Sequence, residues 1–196
     1  MSLPTTPAVR RIRALATILV FVAASGLGAT TPRAADPSTG DDVKLEVLNW
    51  DAFTARLAKA GAQRFKYTLV DAWATTCGPC KENFPHLVAM HARYAGQGLQ
   101  VVSLSLDDSS DKKAAAAAMM FLREKQAKFL NVLLDEEFGV GFEKLDINAI
   151  PAVFVFGPDG KLVKKYTMDD PKDQFTYEQV EKEIAALLKA KNAEAR

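Results

Sequence analysis

The stretch W-A-T-T-C-G-P-C, residues 73–80, contains both cysteines of this 196-residue chain. Two cysteines separated by two residues can be half of a metal site, a structural disulfide, or a dithiol that is oxidised and reduced in turn. The residues around the pair and the rest of the chain favour the third interpretation.

The N-terminal residues 1–35 have the layout of an export signal. Three arginines within residues 10–13 are followed by residues 14–32, which carry no charge, and the segment contains no acidic residue. This pattern predicts either a signal peptide or an uncleaved membrane anchor at 14–32, followed by a polar linker over 36–42. Export would place both cysteines in a compartment where disulfides persist.

The charge balance of the remaining chain argues against nucleic-acid binding. Residues 1–35 hold four of the 25 Lys and Arg residues and none of the 24 Asp and Glu residues, which leaves 21 basic against 24 acidic side chains. A nucleic-acid-binding protein is expected to carry a basic patch or stripe, and none is present in the sequence.

Six short segments rich in apolar and β-branched residues predict strands. The first alternates like an edge strand, the next four are typical of buried strands, and G-P-D-G at 157–160 predicts a type I turn that closes a hairpin with the last. The predicted strands are residues 43–48, 67–73, 99–107, 129–135, 152–156 and 161–166.

Segments in which apolar residues recur at helical spacing lie between most of these strands. Asn49 is expected to cap the first helix and Gly61 to end it, and Ser109 or Ser110 is expected to cap the alanine-rich helix. Strands that alternate with helices predict an α/β fold with a mixed sheet covered on both faces. The predicted helices are residues 49–61, 81–91, 109–126 and 175–190.

A zinc site and a purely structural disulfide both fit the cysteines poorly. Zinc needs four converging ligands, but His86 and His91 lie about 140° apart on the predicted helix, so we expect both at the surface. A disulfide between Cys77 and Cys80 would close a very short loop, which removes little chain entropy and stabilises little.

The local sequence instead suits reversible redox chemistry. Cys77 follows a buried strand and begins a helix, where unpaired N–H groups and the helix dipole stabilise a thiolate. Gly78 and Pro79 fit the first turn, in which proline is tolerated. Cys80, one turn further on, is expected to be shielded. An exposed thiolate and a shielded second thiol are the components of thiol–disulfide exchange.

The segment V-D-A-W-A-T-T-C-G-P-C-K resembles the active-site segment of thioredoxins. In the distant segment A-I-P-A-V-F-V-F, Pro151 falls at the family's cis-proline; Asp71 matches its buried aspartate and Pro85 its helix proline. The export signal, a strand–helix insert around 99–125 and G-P-D-G-K-L-V are similar to the exported TlpA/ResA-like branch. The resemblance implies a thioredoxin-like fold over residues 43–190, with an N-terminal strand–helix extension and a short tail, 191–196.

The resemblance also implies the function of the site. Cys77 and Cys80 would form a redox-active pair whose dithiol form reduces protein disulfides in the periplasm and becomes a disulfide in turn, in a monomer that needs no cofactor and no metal. Cys77 would attack the substrate, Cys80 would resolve the mixed disulfide, and an upstream thiol donor would re-reduce the pair. The residues expected to bind substrate are Trp73, Thr76, Gly78, Pro79, Ile150 and Pro151.

Two positions depart from the family pattern. Thr76 stands where thioredoxins usually carry Trp, and Asn83 stands where TlpA-like proteins often carry Glu. Since Asn83 cannot accept a proton, we expect Asp71, rather than the solvent-facing Glu82, to act as the base that deprotonates Cys80. The alternatives that remain are a disulfide oxidant or isomerase with the same cysteines, and a non-enzymatic metal carrier.

Overall fold

The computed structural model describes residues 42–61, 65–137 and 139–194. The predicted signal or anchor, 1–35, and residues 36–41 of the predicted linker lie outside the described residues. Within the described ranges, no helix has the length and apolar character needed to cross a membrane.

The strands of the described chain form one mixed six-stranded sheet, in the order β1-β4-β3-β2-β5-β6. The first four strands of this order run parallel to one another, whereas β5 is antiparallel to β2 and β6 is antiparallel to β5. The predicted mixed sheet, edge strand and closing hairpin are therefore confirmed. The strands are β1 (Glu46–Leu48), β2 (Tyr67–Trp73), β3 (Leu99–Ser105), β4 (Leu130–Leu134), β5 (Ala152–Phe156) and β6 (Leu162–Tyr166).

Helices connect most of the strands. The strand and helix predicted around 99–125 are β3 and α3, and the short helix α4 was not predicted. The helices are α1 (Trp50–Gly61), α2 (Gly78–Tyr94), α3 (Lys112–Glu124), α4 (Val140–Leu145) and α5 (Tyr177–Glu194), with a 3₁₀ turn at Ala95–Gln97 after α2.

One predicted helix cap is confirmed and one is wrong. The side chain of Asn49 accepts the N–H of Ala52 at 2.9 Å, as expected of a cap. The cap of α3 is Asp111, whose carboxylate accepts the N–H of Lys113, and not Ser109 or Ser110. Ser109 and Ser110 precede this cap, and their hydroxyls donate to Asp135 and Asp108.

The sheet has an apolar layer on each face. Alternate residues of β2 point to opposite faces, so Leu69 and Trp73 lie on one side and Val70 and Ala72 on the other. The first side packs against buried residues of α2, α3 and α5, and the second against residues of α1 and α4. Asp71 has the parity of Leu69 and Trp73, which places a carboxyl group on the α2 face.

Candidate active site

The cysteine pair lies where β2 passes into α2. Cys77 is the N-cap of α2, and its sulfur accepts the N–H of Cys80 at 3.2 Å. The two sulfurs form a disulfide with an S–S distance of 2.00 Å. Cys77 is partly exposed and Cys80 is fully buried. The predicted position of Cys77 at the helix start and the predicted shielding of Cys80 are thus confirmed.

The loop before β5 meets the cysteine loop in space. The Ile150–Pro151 peptide bond is cis, and the Cys77 sulfur lies 3.7 Å from the carbonyl oxygen of Ile150. In the disulfide this sulfur carries no proton, so the approach is a contact and not a hydrogen bond. Because β5 pairs directly with β2, residues 73 positions apart in the chain share one site.

Asp71 is a fully buried acid in β2, the strand that leads into the cysteine loop. Its side chain has no exposed surface, and the Tyr177 hydroxyl donates to Oδ1 at 2.5 Å. Burial raises the pKa of Asp71 from 3.8 to about 7, with the Tyr177 hydrogen bond acting in the opposite direction. Asp71 therefore changes charge near neutral pH, which is the property required of a general base working there.

The exposed surface around Cys77 is formed by three of the residues predicted to bind substrate. Thr76, Gly78 and Pro79 are exposed, whereas Ile150 is partly exposed and Pro151 is buried. Trp73 has no exposed surface, since its ring packs against Phe84 and Phe121 at centroid distances of 5.4 and 5.0 Å. Direct substrate contact by Trp73 does not fit this burial, so Trp73 can act on the site only by packing.

Glu82 and Asn83, the two helix residues compared with Asp71 as candidate bases, both lie near the start of α2. Glu82 is exposed to solvent. Asn83 is partly buried, and its side-chain amide donates to the carbonyl oxygen of Pro79 at 2.9 Å. Asn83 therefore stabilises the first turn of α2 by this hydrogen bond.

Asp107 is a site residue that the sequence did not indicate. Its carboxylate accepts the hydroxyl of Thr75 at 2.6 Å, the N–H of Thr75 at 3.0 Å, and the hydroxyl of Ser105 at 2.7 Å. These bonds tie the loop before Cys77 to the end of β3. The only sequence signal was an aspartate at the last position of a predicted buried strand, residues 99–107.

The histidines are not gathered around the cysteines. His86 is partly exposed and stacks on the Tyr177 ring at 5.7 Å, and His91 is partly buried against Phe129 at 5.3 Å. Both are less exposed than the sequence predicted, because aromatic rings from other elements cover them. Among the described residues, no group of three or more His, Cys, Asp or Glu side chains is placed to hold a metal ion.

A mixed sheet flanked by helices, with a C-x-x-C disulfide at a helix start, defines a thioredoxin-like fold. The chain belongs to the AhpC/TSA family, whose model matches residues 40–165.

Curated relatives and solved structures support this class. The chain is 28% identical over 102 residues to the thiol-disulfide oxidoreductase ResA of Bacillus subtilis, a match covering 52% of this chain and 53% of the relative. The chain thus spans about half the length of that relative.

Two solved structures have related folds. A protein of Chlorobium tepidum named thiol:disulfide interchange protein DsbE superposes with a TM-score of 0.53 at 28% identity, covering 67% of this chain and 84% of that one. A protein of Neisseria meningitidis named a thioredoxin gives a TM-score of 0.52 at 18% identity, covering 66% and 79%, and shows the fold alone.

Proposed function

We propose that this protein is an exported thiol–disulfide oxidoreductase that reduces disulfides of other proteins through Cys77 and Cys80. The observation that carries the proposal is the asymmetry of the pair: Cys77 is partly exposed at a helix start, and Cys80 is buried one turn further on. The names of the ResA and DsbE proteins describe thiol–disulfide chemistry, which supports the same assignment.

The reaction begins at Cys77 of the reduced protein. Its thiolate, stabilised at the N-terminus of α2, attacks one sulfur of a substrate disulfide. A Cys77–substrate S–S bond forms, the substrate S–S bond breaks, and the departing substrate sulfur leaves as a thiolate that takes a proton from water. The product is a mixed disulfide between protein and substrate.

The second half-reaction releases the substrate. Cys80 passes its proton to Asp71, and the resulting thiolate attacks the sulfur of Cys77. The Cys77–Cys80 bond forms as the bond to the substrate sulfur breaks, and that sulfur leaves as a thiolate. Two electrons have then moved from the protein dithiol to the substrate disulfide.

The substrate is proposed to dock beside Cys77 through backbone contacts. Thr76, Gly78 and Pro79 offer exposed surface next to Cys77 in the chain, and the Ile150 carbonyl oxygen lies 3.7 Å from the Cys77 sulfur. An extended substrate segment that pairs with backbone groups of this loop would be held with little sequence preference. Because Thr76 replaces an aromatic residue here, the surface has less apolar area than in thioredoxins.

Trapping of mixed disulfides tests the proposed reaction. We expect Cys80→Ser, expressed in its own cells, to accumulate covalent protein adducts that a reducing agent removes on a gel. Cys77→Ser and the double variant should form none. Adducts on Cys77→Ser, with none on Cys80→Ser, would reverse the two roles, and no adducts on either variant would overturn the function.

The direction of electron flow is tested by the reduction potential. An oxidant or isomerase would use the same sulfurs in reverse. Equilibration with glutathione or thioredoxin measures the reduction potential of the Cys77–Cys80 pair. A value of about −270 mV is expected of a reductant, whereas about −120 mV is typical of a strong oxidant.

The proposal includes where the protein acts and which part of the chain carries the activity. Residues 1–35 would direct export to the periplasm and either be removed or tether the domain, residues 43–190, by the uncharged segment 14–32. The domain would act as a monomer that an upstream thiol donor re-reduces. Mass spectrometry of the mature N-terminus from fractionated cells distinguishes a cleaved signal from a retained anchor.

A further inference from the structure

Tyr177 is fixed in place at both its backbone and its ring. It is the first residue of α5, directly after Thr176, whose hydroxyl accepts the N–H of Gln179 while the Gln179 side chain accepts the N–H of Thr176. Its ring lies against Phe175 and His86, at centroid distances of 5.5 and 5.7 Å. Because the backbone and the ring are both held, the hydroxyl has little freedom of position.

That hydroxyl is bonded to one oxygen of Asp71 and leaves the other open. Tyr177 donates to Oδ1 at 2.5 Å, and Oδ2 is buried with no hydrogen-bond partner among the described residues. The neighbours of Asp71 across the sheet are Ser103 and Val153, and Ser103 donates its hydroxyl to Asn131 instead. The two oxygens of one carboxyl group are therefore unequal.

We propose that Tyr177 is a positioning residue for the proton transfer from Cys80. This inference rests on the proposed function. By holding Oδ1, the hydroxyl fixes the orientation of the carboxylate and keeps Oδ2 free as the atom that accepts the Cys80 proton. The S–H bond of Cys80 breaks, an O–H bond forms at Oδ2, and Tyr177 keeps its own proton throughout.

The hydrogen bond also sets the pH range in which Asp71 accepts a proton. A donor favours the ionised carboxylate, so it opposes the effect of burial on the pKa of Asp71. Among the described residues, the titratable groups next to the pair are Cys80 and His86 of α2 and Glu178 of α5, whose carboxylate lies 3.6 Å from His86. The neighbouring residues of β3, α3 and β5 are uncharged: Ser103, Ala118, Leu122 and Val153.

The test is the titration of the Asp71 carboxyl carbon by ¹³C NMR in the disulfide form. In Tyr177→Phe we expect its midpoint to rise by about one pH unit, because the variant loses one hydrogen bond to a charged group. Tyr94→Phe is the matched control, since Tyr94 also donates to a carboxylate, that of Glu181, between α2 and α5. His86→Phe keeps a ring on Tyr177 without a titrating group. Neither control should move the midpoint.

Kinetics provide the second readout. Release of the mixed disulfide by Tyr177→Phe should be about fivefold slower than wild type at pH 7, since fewer Asp71 side chains are ionised, and should recover at pH 9. A purely structural role would lower the rate equally at all pH values. An unmoved carboxyl midpoint, or a rate loss independent of pH, would overturn the inference.

A measurement on the unaltered protein covers the case in which Tyr177→Phe does not fold. In a pH titration, the ¹³Cζ resonance of Tyr177 should change with the same midpoint as the Asp71 carboxyl carbon. A different midpoint, or no change at Tyr177, would overturn the inference. These titrations require no turnover. A protein that reduces no disulfide would overturn the proposed function, while a normal rate with an unmoved midpoint would overturn only the role of Tyr177.

Discussion

The Asp107 carboxylate accepts hydrogen bonds from the hydroxyl and the backbone N–H of Thr75, at 2.6 and 3.0 Å. These bonds join the end of β3 to the loop that carries Cys77. The same carboxylate also accepts the hydroxyl of Ser105, and it is almost completely buried. The conformation of the cysteine loop therefore depends on a residue that is 30 positions from Cys77 in the chain.

We expect Asp107→Ala to lower the free energy of unfolding by about 2–3 kcal/mol, because one buried donor and two partly buried donors lose their carboxylate acceptor. Urea unfolding of the disulfide form measures the effect. Asp111→Ala is the control, since this aspartate caps α3 at an exposed position and should cost about 1 kcal/mol. Equal losses in the two variants would contradict a special role of Asp107.

The two thiols should differ greatly in reactivity. In the reduced protein we expect iodoacetamide to modify Cys77 at least about 100-fold faster than Cys80, because Cys77 lies partly exposed at a helix N-terminus and Cys80 is fully buried. Peptide mass spectrometry of timed samples measures both rates. In urea the two rates should converge, and similar rates in the folded protein would argue against the assigned roles.

Asp71 should make the stability of the protein depend on pH. Its pKa is 3.8 unfolded and about 7 folded, so between these values the folded state binds a proton that the unfolded state lacks. Raising the pH from 4 to 7 therefore favours unfolding, by up to about 4 kcal/mol, and no further change from this group follows above pH 8.

The variant Asp71→Asn removes this dependence. At pH 8 it should be more stable than wild type towards urea, and at pH 4 the difference should disappear. Glu82→Gln, an exposed neighbour, should leave the pH profile unchanged. Equal stabilities of Asp71→Asn and wild type at both pH values would mean that folding does not raise the pKa of Asp71.

The same pair of variants separates the candidate bases kinetically. Asp71→Asn should slow release of the mixed disulfide about 100-fold or more, while alkylation of Cys77 stays nearly unchanged. Glu82→Gln should behave as wild type in both assays. Stopped-flow measurement of a large defect in Glu82→Gln and none in Asp71→Asn would show that the base is misassigned.

Features encoded within a few neighbouring residues could be predicted from the sequence. The helix start at Cys77 follows from a buried strand, glycine and proline, and the cap at Asn49 from its position before an apolar repeat. The predicted cap of α3 was wrong because Ser109, Ser110 and Asp111 can all cap a helix, and the sequence does not show which of three adjacent residues begins it. In the structure Asp111 is the cap, while Ser109 and Ser110 donate to Asp135 and Asp108.

Contacts between distant segments could not be predicted from local sequence patterns, and only the family resemblance placed Ile150 and Pro151 in one site with the cysteines. Tyr177 reaches Asp71 across 106 positions, and nothing in F-T-Y-E-Q distinguishes a tyrosine that bonds a buried acid from one that packs in the core. The Trp73 prediction failed for a related reason: the family motif places it beside the cysteines, but the strand alternation turns its ring inward onto Phe84 and Phe121.

The direct pairing of β2 with β5 has an evolutionary consequence. Cys77 and the Ile150 carbonyl are brought together by two adjacent strands, so their separation is set by that ladder and not by the chain that joins them. Insertions in the loops between α3 and α4 leave this ladder unchanged, whereas α3 itself cannot diverge freely because Phe121 packs against Trp73 and Phe84. Descendants of such a chain can acquire new outer surfaces while inheriting the same chemistry.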